Sequence, residues 1–153
     1  MGNTLIKSKI GSKSFVSNSP EETFEFAEEF GRSLRAGDAL LLSGELGAGK
    51  TLFTKGILSA LDYDIDEVNS PSFTLVNLYR APKFDVYHID FWRLDENSDV
   101  GGAVGLDEIL EEPNMLVIIE WSERLKTQSF PGRVFRINIK GDGDEPRKIE
   151  VNF

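Results

Sequence analysis

The sequence predicts an α/β fold, with a mixed central sheet between two layers of helix and an antiparallel hairpin at the C-terminus. One observation behind this is Gly44-Glu45-Leu46-Gly47-Ala48-Gly49-Lys50-Thr51, which fits the phosphate-binding pattern G-x-x-x-x-G-K-S/T. Another is Leu116-Val117-Ile118-Ile119-Glu120, an apolar run of the kind that fills the middle of a parallel sheet, ending in an acid. The last is a pair of alternating sets, Phe135, Ile137, Ile139 and Ile149, Val151, Phe153, on either side of Gly141–Pro146. They read as a hairpin.

The flanks of the glycine loop support the pattern. Gly37-Asp38 leads into Ala39–Leu42, a short apolar run that reads as a buried parallel strand. Leu52 to Leu61 follows, with good helix formers and no proline. Strand, loop and helix come in the order a P-loop requires, so the expected architecture is a P-loop NTPase-like three-layer sandwich. Glycines at Gly44, Gly47 and Gly49 let the backbone turn tightly. Its N–H groups, with those of Glu45, Leu46 and Ala48, can then face a phosphate chain. The helix N-terminus adds partial positive charge. Lys50 is expected to reach the β- and γ-phosphates of a nucleotide, and the Thr51 hydroxyl to meet Mg²⁺.

The chain has 153 residues, 40% of them hydrophobic, enough for one domain with a sizeable core. Residues 1–153 read as that single domain, with 1–13 as an arm. Cysteine is absent, which excludes disulfides, thiol nucleophiles and Cys-ligated zinc and fits a reducing compartment, the cytoplasm. No apolar run approaches the ~20 residues of a membrane span, and the N-terminus has no hydrophobic signal core. No membrane association is expected. Met1-Gly2 does not suit myristoylation, because Ile6 stands where Ser or Thr is wanted. The formal net charge is −9. Such a surface repels nucleic acid, whose affinity comes largely from Lys and Arg at phosphates. If RNA enters the work of this protein, a partner is expected to hold it.

Along the chain, Lys7, Lys9 and Lys13 punctuate a terminus read as solvated rather than as a docking arm for an acidic partner, with Ser14–Ser17 as a short strand. Ser19-Pro20-Glu21-Glu22 starts a helix. Ser19 caps it, Pro20 fits the first turn and Glu22 completes a capping box. Phe24, Ala27, Phe30 and Leu34, widened by Phe26, recur at helical spacing and read as core. Gly37 ends the unit. Asp62–Glu67 is an acidic connector whose alternate aspartates lack the glycine and distant glutamate of a calcium loop. Pro71 forces Ser70 extended, and Phe73–Tyr79 alternates as a strand behind a hydroxyl-rich loop. Ser70, Ser72 and Thr74 could sense a γ-phosphate or metal as switch loops do, although spacing alone favours an ordinary loop. Arg80-Ala81-Pro82-Lys83 is a turn, so Phe73–Tyr79 and Phe84–Asp90 are expected to pair antiparallel.

His88, the one histidine, reads as structural and hydrogen-bonded. Asp90 stands at a strand end, where α/β proteins place chemistry, with Arg93 near enough to pair with it or to approach a phosphate. Asp95 to Glu112 is acidic, turn-rich around Gly101, Gly102 and Gly105, then helical over Leu106–Leu110. Leu116–Glu120, with a P-loop upstream, reads as a Walker-B-like strand. Its terminal carboxylate is expected beside the loop, meeting Mg²⁺ directly or through water.

Together these segments resemble the TsaE (YjeE) family of small bacterial P-loop ATPases, which serve the synthesis of N6-threonylcarbamoyladenosine next to the tRNA anticodon. Gly44–Thr51 is similar to the family's L-G-A-G-K-T loop, Ser70–Leu75 to its S-P-T-F-T-L segment and His88–Leu94 to its H-x-D-x-Y-R-L. Gly105–Leu110 and Ile119–Glu123 resemble its G-L-x-E and I-E-W-x-E blocks. Ser72 stands for a threonine and keeps the hydroxyl, whereas Trp92 stands for a tyrosine and lacks the phenolic O–H. The resemblance implies ATP and Mg²⁺ as ligands, with Lys50 and Thr51 at the phosphates and metal. It implies Glu120 near the metal, Asp90 as a catalytic or metal-linked carboxylate, Ser70 to Thr74 as a switch-like segment and Trp121 at the nucleotide. It also implies TsaD and TsaB as partners, with tRNA reached only through them.

The expected activity is ATP hydrolysis, weak in isolation, by in-line attack of water on the γ-phosphate. Asp90 is assigned to the water and Glu120 to the metal, two roles the sequence leaves exchangeable. One rival is a small-molecule P-loop kinase. Such kinases close an arginine-rich lid over the phosphates, and Asp95 to Glu112 holds no basic residue. Another rival is a nucleotide-gated binding module with incidental hydrolysis.

Overall fold

The computed structural model describes residues 7–9, 11–45, 47–71, 75–95, 98–125 and 127–153. Its strands are Lys7–Lys9 (β1), Ser12–Ser17 (β2), Ala39–Ser43 (β3), Val76–Arg80 (β4), Asp85–Asp90 (β5), Met115–Glu120 (β6), Val134–Lys140 (β7) and Arg147–Asn152 (β8). Its helices are Pro20–Gly31 (α1), Lys50–Ala60 (α2), Val100–Val104 (α3) and Leu106–Leu110 (α4). The apolar strands lie where their composition sends them. β6 is buried throughout and runs parallel to β3 on one side and β5 on the other, while β3 also runs parallel to β7. Antiparallel pairs extend both flanks, giving the order β1-β2-β8-β7-β3-β6-β5-β4. The C-terminal hairpin sets Ile137 opposite Val151 and Ile139 opposite Ile149, so the two alternating sets share one face.

Successive strand residues face opposite sides, and in the central strands β3, β5 and β6 both sides are covered. Leu40, Leu42, Val86, Leu116 and Ile118 pack in one core with Ala27 and Phe30 of α1 and Phe53 and Ile57 of α2. Ala39, Leu41, Ile89, Val117 and Ile119 pack in a second with Val100, Leu106 and Ile109. That is the three-layer arrangement expected. α1 and α2 approach closely: a Cβ on Gly56 would lie 2.6 Å from that of Ala27.

Local chemistry explains where elements start and stop. At the start of α1, the Ser19 hydroxyl accepts the Glu22 N–H at 3.1 Å and the Glu22 carboxylate accepts the Asn18 N–H at 2.7 Å. The helix closes at Gly31 rather than near Gly37. Ser33 turns its hydroxyl back onto the Phe30 carbonyl at 2.7 Å and Asp38 takes the Arg35 N–H at 2.7 Å, local bonds that compete with further helix. Leu34 stays buried regardless. Within the stretch expected as an arm, Lys7–Lys9 pairs antiparallel with Ser12–Ser14 at the sheet edge.

Of the strand expected over Phe73–Tyr79, the described part is β4 from Val76, with Leu75 outside it. Leu75 has a φ of 68° and gives its N–H to the Pro71 carbonyl at 3.0 Å. Ser72, Phe73 and Thr74 lie outside the described residues. β4 and β5 pair antiparallel as expected. The stretch around Gly101 and Gly102 is helical rather than turn-rich, because Asp99 accepts the Gly102 N–H at 3.0 Å and caps α3. None of the described helices is long and apolar enough to cross a membrane.

Candidate phosphate site and its carboxylates

Three parallel strands end at one place. β3 runs into Gly44, and α2 begins at Lys50 behind Gly49. Gly44, Gly47 and Gly49 have φ of 152°, 82° and 114°, a region L side chains rarely adopt. At Gly44 a Cβ would also lie 2.6 Å from the Ile139 carbonyl, whereas at Gly47 or Gly49 it would meet nothing within 4 Å. The latter two therefore face open space above the loop, in front of the unpaired N–H groups that begin α2. Ala48 is buried beneath and Glu45 is exposed. Leu46 lies outside the described residues.

Lys50 is 8% exposed, folded over its own loop with Nζ donating to the Gly44 carbonyl. Its ammonium also stands 5.7 Å from the Trp121 ring centre, and the Arg124 guanidinium 5.3 Å from the same ring. Trp121 follows β6 directly, with a φ of 60° that turns the chain at the strand end.

The carboxylates come from register. β5 and β6 pair parallel with Asp90 opposite Glu120, so both side chains point to the α2 side. Asp90 accepts the Trp92 N–H at 2.8 Å. Burial pushes its pKa up and the Trp92 N–H pulls it back; Glu120 raises it further, while His88 and Lys50 oppose. Glu120, 4% exposed, is joined to His88 Nε2 at 2.7 Å. His88 is fully buried and is the structural, hydrogen-bonded histidine the sequence suggests. Arg93 lies with its guanidinium 5.9 Å from the Trp92 ring.

A cavity of about 350 Å³ gathers these groups, lined by Lys50, Thr51, Ser70, Asp90, Glu120 and Trp121. Gly47 and Gly49 form its floor. A neighbouring cavity of about 550 Å³ shares Glu45, Lys50 and Trp121 with it, is lined also by Gly44, and extends to Asn138 and Gly141 at the C-terminal hairpin. Of the residues expected to act as a switch, Ser70 lines the first cavity, while Ser72 and Thr74 lie outside the described residues. Among the described residues, no cluster of three or more His, Asp or Glu side chains could hold a metal unaided. Mg²⁺ at phosphate sites takes one or two protein oxygens and completes its shell with phosphates and water. Thr51 with Glu120 or Asp90 fits that donor set.

Two contributors escape the sequence reading. Arg147, the first residue of β8, donates from Nε to the Ala48 carbonyl at 3.0 Å and from one terminal nitrogen to the carbonyls of Gly47 at 3.2 Å and Gly143 at 3.1 Å. Tyr79 puts its hydroxyl 3.3 Å from His88 Nδ1. Nothing local marks Arg147, because only the β8–β7–β3 pairing brings it under the loop. Tyr79 had a faint signal: it stands two residues from Asn77, the register partner of His88, on the same face.

A family model described as Threonylcarbamoyl adenosine biosynthesis protein TsaE matches residues 17–149. The tRNA threonylcarbamoyladenosine biosynthesis protein TsaE of Rickettsia bellii is 36% identical over 136 residues, covering 89% of this chain and 92% of that protein. The protein of the same description from Bacillus subtilis is 37% identical over 130 residues, covering 85% and 78%. Among solved structures, the crystal structure of Bacillus subtilis YdiB aligns with a TM-score of 0.69 at 30% identity, covering 95% of this chain and 87% of that one.

Proposed function

The chain belongs to the TsaE family, and from that membership we propose that it is the ATP-hydrolysing subunit of a cytoplasmic assembly for tRNA threonylcarbamoyladenosine biosynthesis. It uses Mg²⁺ and acts with TsaD and TsaB. The observation that carries this reading is the shared cavity, where the loop lysine, the Thr51 hydroxyl and two buried carboxylates meet above the glycine floor.

The chain's own groups divide the work. Loop N–H groups and the start of α2 bind the phosphates. Lys50 exchanges the Gly44 carbonyl for phosphate oxygens, placing its charge where negative charge gathers. Thr51 and Glu120 would hold Mg²⁺, which would supply neutralisation of phosphate charge. Asp90 orients the attacking water; its raised pKa brings a carboxylate nearer to what proton transfer at neutral pH requires. The water oxygen bonds to phosphorus as the bond to the β-phosphate oxygen breaks. ADP leaves with that electron pair, and the water proton passes to Asp90 and on to solvent or phosphate. Trp121 and the hairpin cavity hold the rest of the nucleotide.

Phosphate release, measured without any acceptor and with or without TsaD and TsaB, tests this. Slow release by the chain alone and faster release with partners is the expected result. Lys50→Ala should lose nucleotide binding, and Glu120→Ala should bind nucleotide but turn over at least about 100-fold more slowly. Phosphoryl transfer to a metabolite without hydrolysis would replace the reading with a kinase. A Lys50→Ala chain that still supported the tRNA modification would make nucleotide handling dispensable.

A further inference from the structure

A line of buried polar groups runs behind the site and ends in the loop that enters it. Glu120 Oε2 meets His88 Nε2 at 2.7 Å, and His88 Nδ1 meets the Tyr79 hydroxyl at 3.3 Å. The Tyr79 hydroxyl donates to the Asn69 carbonyl at 2.8 Å and accepts the Asn69 N–H at 3.2 Å. Asn77 Nδ2 donates to both the Tyr79 oxygen, at 3.3 Å, and the Asn69 carbonyl, at 3.0 Å. Tyr79 and His88 are 3% and 0% exposed. Ser70, next to Asn69, lines the same cavity as Glu120.

We propose that Tyr79 and His88 are positioning residues that fix the Glu120 carboxylate for its metal and tie that carboxylate to the Asn69–Pro71 loop. The inference rests on the ATPase reading, in which Glu120 holds Mg²⁺. The reason is one of hydrogen-bond supply. An ionised Glu120 accepts only, so Nε2 must carry the proton toward it. In a neutral imidazole Nδ1 is then an acceptor and needs a donor, and the Tyr79 hydroxyl is within reach. That hydroxyl has one proton and two acceptors, His88 Nδ1 and the Asn69 carbonyl. Asn77 already donates to the Asn69 carbonyl, so the loop stays satisfied when the proton turns to His88. The tyrosine thus has two settings, one holding the loop and one holding the histidine that holds the carboxylate. Partners behind a metal ligand matter on this scale, since their loss typically lowers metal affinity or activity about 10–100-fold.

Tyr79→Phe is the informative variant, because it keeps the ring that packs 5.3 Å from Tyr63 and removes only the hydroxyl. Calorimetry would give the affinity for ADP with and without Mg²⁺, in four chains: wild type, Tyr79→Phe, Glu120→Gln and the double variant. Amide exchange at Asn69 and Ser70 would be followed in the same samples. Tyr79→Phe should leave metal-free ADP binding unchanged and weaken the Mg²⁺-dependent part about tenfold. On the Glu120→Gln background it should weaken it no further. Mg-ADP should slow exchange at Asn69 in the wild type and not in Tyr79→Phe. Equal, additive losses in both backgrounds, or wild-type Mg²⁺ dependence in Tyr79→Phe, would overturn the proposal. A wild-type chain that failed to bind Mg-nucleotide at all would instead overturn the ATPase reading beneath it.

Discussion

Asp90 shows what its surroundings do to a buried carboxylate. Its side chain is buried beside Glu120 and accepts the Trp92 N–H at 2.8 Å. Burial is the main cause of its raised pKa, with Glu120 adding to it. The sign of the stability effect follows. A group whose folded pKa lies above the unfolded value favours the fold below that unfolded value, about 4 for Asp, and loses the contribution as pH rises through the folded pKa. At neutral pH Asp90 therefore weighs against folding. Asp90→Asn keeps an oxygen for the Trp92 N–H and removes the charge. It should melt a few degrees higher than the wild type at pH 7, with the gap closing toward pH 4, while phosphate release falls about 100-fold or more. Thermal melts at the two pH values check the first half, and a variant less stable at pH 7 would reverse the assignment of burial as the dominant cause.

Strands and helices carry the site by register, which decides how much of it could be read in advance. The glycine loop, the Lys50–Thr51 pair and the apolar run to Glu120 were legible because each is contiguous. Asp90 was legible as a strand end, but that it lies opposite Glu120 is a fact of the parallel β5–β6 pairing. The left-handed backbone of Leu75 was hidden, since apolar alternation runs through it in the sequence. The edge pairing of β1 was hidden too, because Lys7–Lys9 has no apolar pattern to announce it. Arg147 is the clearest case: β8 reaches the loop only by way of β7. Its guanidinium ties the Gly47 and Ala48 carbonyls to the Gly143 turn. Several carbonyls share one planar fork, so a lysine, with a single point charge, should not replace it. Arg147→Ala and Arg147→Lys should both weaken nucleotide binding about tenfold, and cost about 1–2 kcal/mol of stability, a value discounted for the partial exposure of the side chain. Titration of Mg-nucleotide measures the first effect. Wild-type affinity in Arg147→Lys would mean that charge alone, and not the fork, holds the loop.

At the scale of the whole molecule, the question is whether this chain touches tRNA itself. Its net charge of −9, from 26 acids against 17 bases, opposes it, but charge distribution matters more than the sum. Helices α1 and α2 cover one face of the β2–β8–β7 flank, while Arg136, Lys140 and Lys148 are exposed on the other. That face is the natural place for a phosphate backbone to rest. It is also partly neutralised, because Glu150 stands 3.8 Å from both Lys140 and Lys148. Non-specific affinities of about 10⁻⁴–10⁻⁶ M at physiological salt belong to proteins that neutralise several phosphates with Lys and Arg, each contact contributing to the salt slope. A few half-paired bases on an acidic body fall short of that. The isolated chain should bind labelled tRNA more weakly than about 0.1 mM at about 0.15 M salt, and tRNA should be retained only when basic partners are added. Anisotropy titrations across a salt series distinguish the cases. Micromolar binding by the chain alone, lost steeply with salt and abolished by Arg136→Glu, would move the RNA onto this sheet face. Weak binding at every salt concentration would keep the RNA off this sheet face, as the proposed division of labour with partners requires.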